Sequence, residues 1–153
     1  MIVSKRQATE ADHEFVRSVH HRAYRDVVQR VYGRWEKSEQ DRLFDAVWSP
    51  AVHEIILCGT QAAGYCAVDF LADEIFVREL VVDLEFQGRG VGTQIMKDVI
   101  SEAAARKVPV RLQTHIVNRA AELYRRLGFQ ERGRTVTHIK MEWFHTELRN
   151  ERS

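Results

Sequence analysis

Hydrophobic and polar positions alternate with two different periods along the chain, and the places where the period changes mark its elements. Ile2 to Gln7 alternate apolar and polar, the pattern of a half-buried strand. Thr9, with Asp12 three positions on, is placed to cap a helix from Glu10 to about Val31, on which Phe15, Val19, Ala23 and Val27 form an apolar stripe. Gly33 interrupts that stripe. Ser38, with Asp41 after it, is a second N-cap candidate, ahead of Leu43, Phe44 and Val47 in a shorter helix ending near Pro50. From His53 the period shortens. His53 to Cys58 and Ala63 to Leu71 read as a hairpin turned at Gly59-Thr60-Gln61. After Asp73, Ile75 to Val82 is almost wholly apolar, as suits a strand covered on both faces, and only Arg78 and Glu79 break it.

The helical period returns from Gly92 to Lys107, with Ile95, Val99, Ile100 and Ala103 on one face, and Pro109 restarts the chain as a strand from Val110 to Val117. Strand, helix and strand in that order predict a parallel pair with a right-handed crossover. Asn118 is positioned to cap a helix carrying Ala121, Leu123, Tyr124 and Leu127, closed by Gly128. Phe129 to Arg132 and Thr137 to Phe144 read as closing strands. Residues 1–145 are thus expected to form one α/β domain and the polar stretch 146–153 a frayed tail.

Composition then narrows the function classes. A chain of 153 residues, 44% hydrophobic and 29% charged, suits a single globular core. Its net charge of +1 gives no bulk attraction for nucleic acid or an anionic membrane. No apolar run reaches the roughly 20 residues of a membrane span. The first residues, Met-Ile-Val-Ser-Lys-Arg-Gln, lack the order of a signal peptide, so a cytoplasmic protein is expected. Cys58 and Cys66 lie in apolar runs and read as buried thiols; neither a disulfide framework nor a Cys/His metal cluster is visible, and no metal is expected. His20, Tyr24, Tyr32 and Trp35 cluster between the first two helices, where they either pack the junction or wall a pocket.

The chemistry concentrates between Arg78 and Gly92, where an apolar strand runs through Gln87-Gly88-Arg89-Gly90-Val91-Gly92 into a helix. Glycines at 88, 90 and 92 admit positive φ and a close ligand, and the unpaired amides of a helix start favour an anion. This turn, followed one helix and one strand later by Asn118-Arg119-Ala120-Ala121-Glu122-Leu123-Tyr124-Arg125-Arg126-Leu127-Gly128-Phe129, resembles the paired signatures of the GNAT superfamily of acyl-CoA-dependent N-acetyltransferases. Leu84 departs from the pattern, since relatives often carry proline there.

The resemblance implies a mixed, mostly antiparallel sheet of about seven strands, a splayed parallel pair in its middle, and about four flanking helices. It implies acetyl-CoA as co-substrate and an amine acceptor; from the charge and hydropathy above no nucleic-acid or membrane partner is expected, and a homodimer stays open. The diphosphate would rest on the turn, with Gln87, Gly88, Arg89, Gly90, Val91, Gly92 and Thr93 around it. Backbone groups of Leu80, Val81 and Val82 would meet the pantetheine arm, and Asn118, Ala121 and Tyr124 would complete the cofactor contacts. Tyr124 matches the family tyrosine that protonates the leaving thiolate, beside its bland role as a packed helix aromatic. For a general base, Glu79 interrupts an apolar strand at a cost that pairing or function must offset, and His115 competes by its titration range. His20, Tyr24, Tyr32 and Trp35 border the acceptor pocket in this reading. A non-catalytic acyl-CoA sensor of the same fold is the alternative.

Overall fold

The computed structural model describes residues 2–145, so the tail expected over 146–153 lies outside the described residues. Seven strands form one sheet in the order β1-β2-β3-β4-β5-β7-β6. These are β1 (Val3–Gln7), β2 (Glu54–Cys58), β3 (Gln61–Phe70), β4 (Ile75–Val82), β5 (Val110–His115), β6 (Gln130–Arg134) and β7 (His138–Trp143). The helices are α1 (His13–Tyr32), α2 (Lys37–Val47), α3 (Val91–Arg106) and α4 (Ala120–Arg126). The sheet is mostly antiparallel, with β4 and β5 its parallel pair, registered from Ile75↔Val110 to Val77↔Leu112. That is the mixed architecture the resemblance implies, and the strand-helix-strand order predicts its parallel pair. The chain divides into two compact units, one of residues up to 67 with Glu79–Gly92, the other of Val68–Arg78 with residues from 93 on.

In the first unit, β1 runs antiparallel to β2 from Val3↔Cys58 to Gln7↔Glu54. β2 in turn pairs with β3, with a slip between Ile56 and Leu57. A short 3-10 turn at Glu10–Asp12 leads into α1. There Asp12 accepts from the Thr9 amide at 2.8 Å and from both arms of Arg6 at 2.8 and 2.9 Å. The Arg6 guanidinium holds the Asp12 carboxyl down at about 2. Val16 and Val19 are the fully buried residues of α1, while Phe15 and Ala23 of the expected stripe are only partly covered. Gly33 closes the helix in the left-handed conformation. Ser38 is not the cap of α2: Gln40 already bonds the Glu36 carbonyl at 3.0 Å, so Glu36 takes that position. Phe44, Ile55, Tyr65 and Val81 join the two valines in the core of this unit.

In the second unit, β7 pairs antiparallel with β5 on one side and with β6 on the other. Ile95, Met96, Val99 and Ala103 form the buried face of α3, and Ala121 and Tyr124 that of α4. Arg111 bridges Glu142 and Glu74, each at 2.5 Å. Back in the first unit, Cys58 and Cys66 are free and buried, and burial pushes the Cys66 thiol up to about 12.

Candidate functional site

In the first unit the structure assembles a group around Glu79. The Glu79 carboxylate, in β4, accepts a hydrogen bond from the Tyr65 hydroxyl at 2.9 Å and from the Tyr24 hydroxyl at 3.3 Å, both on Oε2. Tyr65 belongs to β3 and is fully buried; Tyr24 comes from α1. Burial pushes the Glu79 carboxyl above its ordinary range, against the Tyr65 bond, the nearby His53 and the Tyr24 bond, which all favour the charged form. Burial, together with the Glu79 charge, also drives the Tyr65 hydroxyl well above its usual value, so it remains a donor. A carboxyl raised and held this way is better suited to accepting a proton than an ordinary surface carboxylate, and can do so without leaving its partners.

Aromatic contacts extend this group along α1 and α2. The His20 ring lies 4.7 Å from that of Tyr24 and 5.4 Å from that of Phe44, while Trp35 meets His21 edge-on at 5.0 Å. Burial, then the neighbouring His21, holds the His20 imidazole down at about 4. Tyr32, the fourth residue expected at a pocket wall, is 70% exposed and takes no part in these ring contacts.

The turn after β4 is fixed from several sides. Asp83 receives both Nε and a terminal nitrogen of Arg22 at 2.9 Å and its own amide bonds the Ala63 carbonyl at 2.8 Å. Gln87 donates to the Val82 carbonyl at 2.9 Å, and the Arg89 guanidinium sits 5.5 Å over the Phe86 ring. Gly88 and Gly90 adopt φ of 76° and 80°, and a Cβ at either would meet nothing within 4 Å. Backbone conformation, not lack of room, therefore reserves these positions for glycine. Gly92 does not share that conformation, because it is already the second residue of α3. The amides of Val91, Gly92 and Thr93 thus belong to the first turn of a helix, where no intrahelical partner exists for them. Leu80 and Val82 are half-buried and Val81 is buried. The Val81 carbonyl lies over Gly64 of β3, so that a Cβ on Gly64 would come within 2.2 Å of its oxygen.

In the second unit Tyr124 is buried in α4 with its ring 5.6 Å from that of Phe129, and burial pushes its hydroxyl up to about 12. Ala121 is buried one turn earlier. Asn118 Oδ1 accepts from the Ala120 amide at 2.9 Å, yet the residue in the cap position of α4 is Arg119, so Asn118 serves the helix from one place further out. His115 Nδ1 accepts from the Val117 amide at 3.3 Å, and its ring lies 5.2 Å from that of His138. Burial, then His138, lowers its pKa. Its Nε2 is buried without a hydrogen-bond partner among the described residues.

A model of the acetyltransferase (GNAT) domain matches residues 50–131, more than half of the chain. The chain belongs to the GNAT acetyltransferase family. A search of curated proteins found no match. Among solved structures, the GNAT chain is similar to the PaiA N-acetyltransferase from Thermoplasma acidophilum in complex with coenzyme A, at 13% identity and a TM-score of 0.75 over 95% of this chain and 100% of that one. It is also similar to an acetyltransferase from Thermus thermophilus, at 15% identity and a TM-score of 0.72 over 94% and 97%. The ribosomal-protein-S18-alanine N-acetyltransferase from Escherichia coli follows at 19% identity and a TM-score of 0.66 over 94% of each chain. At these identities the likeness is one of fold. Among the described residues of this GNAT chain, no helix is long and apolar enough to cross a membrane.

Sequence reasoning missed Tyr65 and Gly64. Both lie in β3, and a lone carboxylate in an apolar strand is a signal that a donor must exist, but which neighbouring strand and residue supply it depends on register.

Proposed function

We propose that this GNAT protein transfers an acetyl group from acetyl-CoA to a primary amine, of a small molecule or a peptide, by direct attack in a ternary complex. The observation that supports it most is the Glu79 carboxyl, half-buried, raised in pKa and held by two tyrosine hydroxyls in the strand that leads into the glycine turn. The attacking amine must lose a proton, and Glu79 accepts it directly or through one water. Backbone amides of Leu80 to Val82 meet the pantetheine arm, and one of them stabilises the tetrahedral oxyanion. Tyr124 protonates the departing thiolate, a role suited to a hydroxyl that stays protonated throughout the neutral range.

The diphosphate rests on the amides from Arg89 to Thr93, with Gln87 and Gly88 shaping the turn and Asn118 and Ala121 contributing further contacts. A similar fold solved with coenzyme A supports this ligand. His115, whose pKa burial and then His138 lower, is the competing base. His20, Tyr24 and Trp35 wall the acceptor side, with Tyr32 at its margin. Residues 1–145 act as one domain, in the cytoplasm, without a metal.

A panel of amines and short peptides, with free thiol as the readout, tests the proposal. The expected result is turnover on at least one primary amine and loss of that turnover in Glu79→Gln. Acetyl-CoA binding with no turnover on any acceptor would overturn it in favour of a sensor.

A further inference from the structure

Along α1 and α2 a chain of hydrogen bonds ends on a nitrogen that has no partner among the described residues. It begins at Asp41, whose carboxyl is held down at about 2 by Lys37 and His21, so it is ionised and only accepts. Its Oδ1 lies 2.7 Å from His21 Nε2, which must therefore carry a proton. A neutral imidazole has one N–H, which leaves His21 Nδ1 as a lone pair. That lone pair faces His20 Nδ1 at 3.1 Å, and a hydrogen bond there requires the proton of His20 to sit on Nδ1. His20 Nε2 is then a bare acceptor, and it bonds no described residue. The same ring rests 4.7 Å from that of Tyr24, whose hydroxyl donates to Glu79. An acceptor lone pair thus lies one tyrosine away from the carboxylate base.

We propose that His20 Nε2 receives an N–H of the amine substrate, and that His21 and Asp41 are positioning residues that keep this nitrogen unprotonated. The proposal rests on the amine-acetylation reading above and deepens it into a specificity. A neutral primary amine has two N–H bonds, one for Glu79 and one for His20. A secondary amine has one, and leaves an acceptor unpaired, which a site built for hydrogen bonding penalises heavily.

Two arms on the full chain test this. Long-range nitrogen–proton spectra of the histidine rings are expected to show the Nδ1–H form for His20 and the Nε2–H form for His21. A His20 found with its proton on Nε2 at high pH overturns the proposal, and this arm needs no variant to fold. In the kinetic arm, His20→Phe is expected to raise KM for a primary amine about tenfold, the cost of one unmade hydrogen bond, and to lessen discrimination against a secondary amine. His20→Gln, which places an amide near Nε2, is expected to restore most of it. His21→Phe should scramble the His20 tautomer and raise KM less. An unchanged KM in His20→Phe, with wild-type turnover intact, overturns the acceptor role. No turnover on any amine in the wild type, with the tautomers as expected, instead overturns the acetylation reading.

Discussion

Tyr65 donates its hydroxyl to Glu79 across 2.9 Å, from a residue with no exposed surface to a carboxyl whose charged form burial disfavours. The bond favours the charged form of Glu79, and burial opposes it more strongly. In Tyr65→Phe the carboxylate loses its better donor, so the ascending limb of the pH–rate profile is expected to move to higher pH. The rate near neutrality should fall about tenfold. An unmoved limb would mean that Glu79 does not set it.

Glu79→Gln is expected to lower kcat roughly a hundredfold and to remove that limb, while His115→Ala leaves it in place. Stability provides a second readout. The folded-state pKa of Glu79 is raised, so the stability linked to its protonation is fully present below the unfolded pKa and is lost as pH rises through the folded one. The glutamine variant should lack that loss. Chemical unfolding at several pH values between mild acid and neutrality measures it.

At Gly90 the backbone has φ of 80°, which costs a β-branched residue about 1–2 kcal/mol even though a Cβ would find open space. Gly90→Val should therefore reshape the turn and abolish acetyl-CoA binding by calorimetry while leaving the far-ultraviolet dichroism intact. Retained affinity would remove the phosphate role of the turn.

Gly64 presents the opposite case. Its φ is unstrained, but a Cβ would lie 2.2 Å from the Val81 carbonyl oxygen and 3.0 Å from Val82 Cα, both rigid backbone atoms. Gly64→Ala is expected to destabilise the fold by about 1–3 kcal/mol and to slow turnover, because the stretch Leu80 to Val82 must shift. Thermal unfolding and kcat measure the two effects separately.

Tyr124→Phe should reduce turnover roughly a hundredfold and change acetyl-CoA affinity little. With its hydroxyl pushed up to about 12, the wild type should show no descending limb from this group below strongly alkaline pH. A rate unchanged by the substitution would leave Tyr124 a packing residue against Phe129.

Local pattern carried much of this protein. The strand at Ile75–Val82, the helix after the glycine turn and the alternation of β1 were legible because each depends on periods and caps a few residues long. The misplacements were local as well. Ser38 lost the cap to Glu36, Asn118 acts one residue outside the cap of α4, and Gly92 was absorbed into α3. In each, a helix began one or two residues away from where the side-chain signal stood, since neighbouring backbone bonds decide the first turn.

By itself the sequence determined the order of elements, the need for glycine at 88 and 90, and a pair of motifs that a family model also matches over residues 50–131. Those rest on dihedral preference and short-range spacing, which the chain carries wherever it goes. Only the tertiary structure decided that Tyr65 and Tyr24, 14 and 55 positions from Glu79, are the groups that hold its carboxylate, and that Asp41 reaches back 20 positions to His21. Strand register and helix docking set those meetings, and both are fixed by which faces bury together.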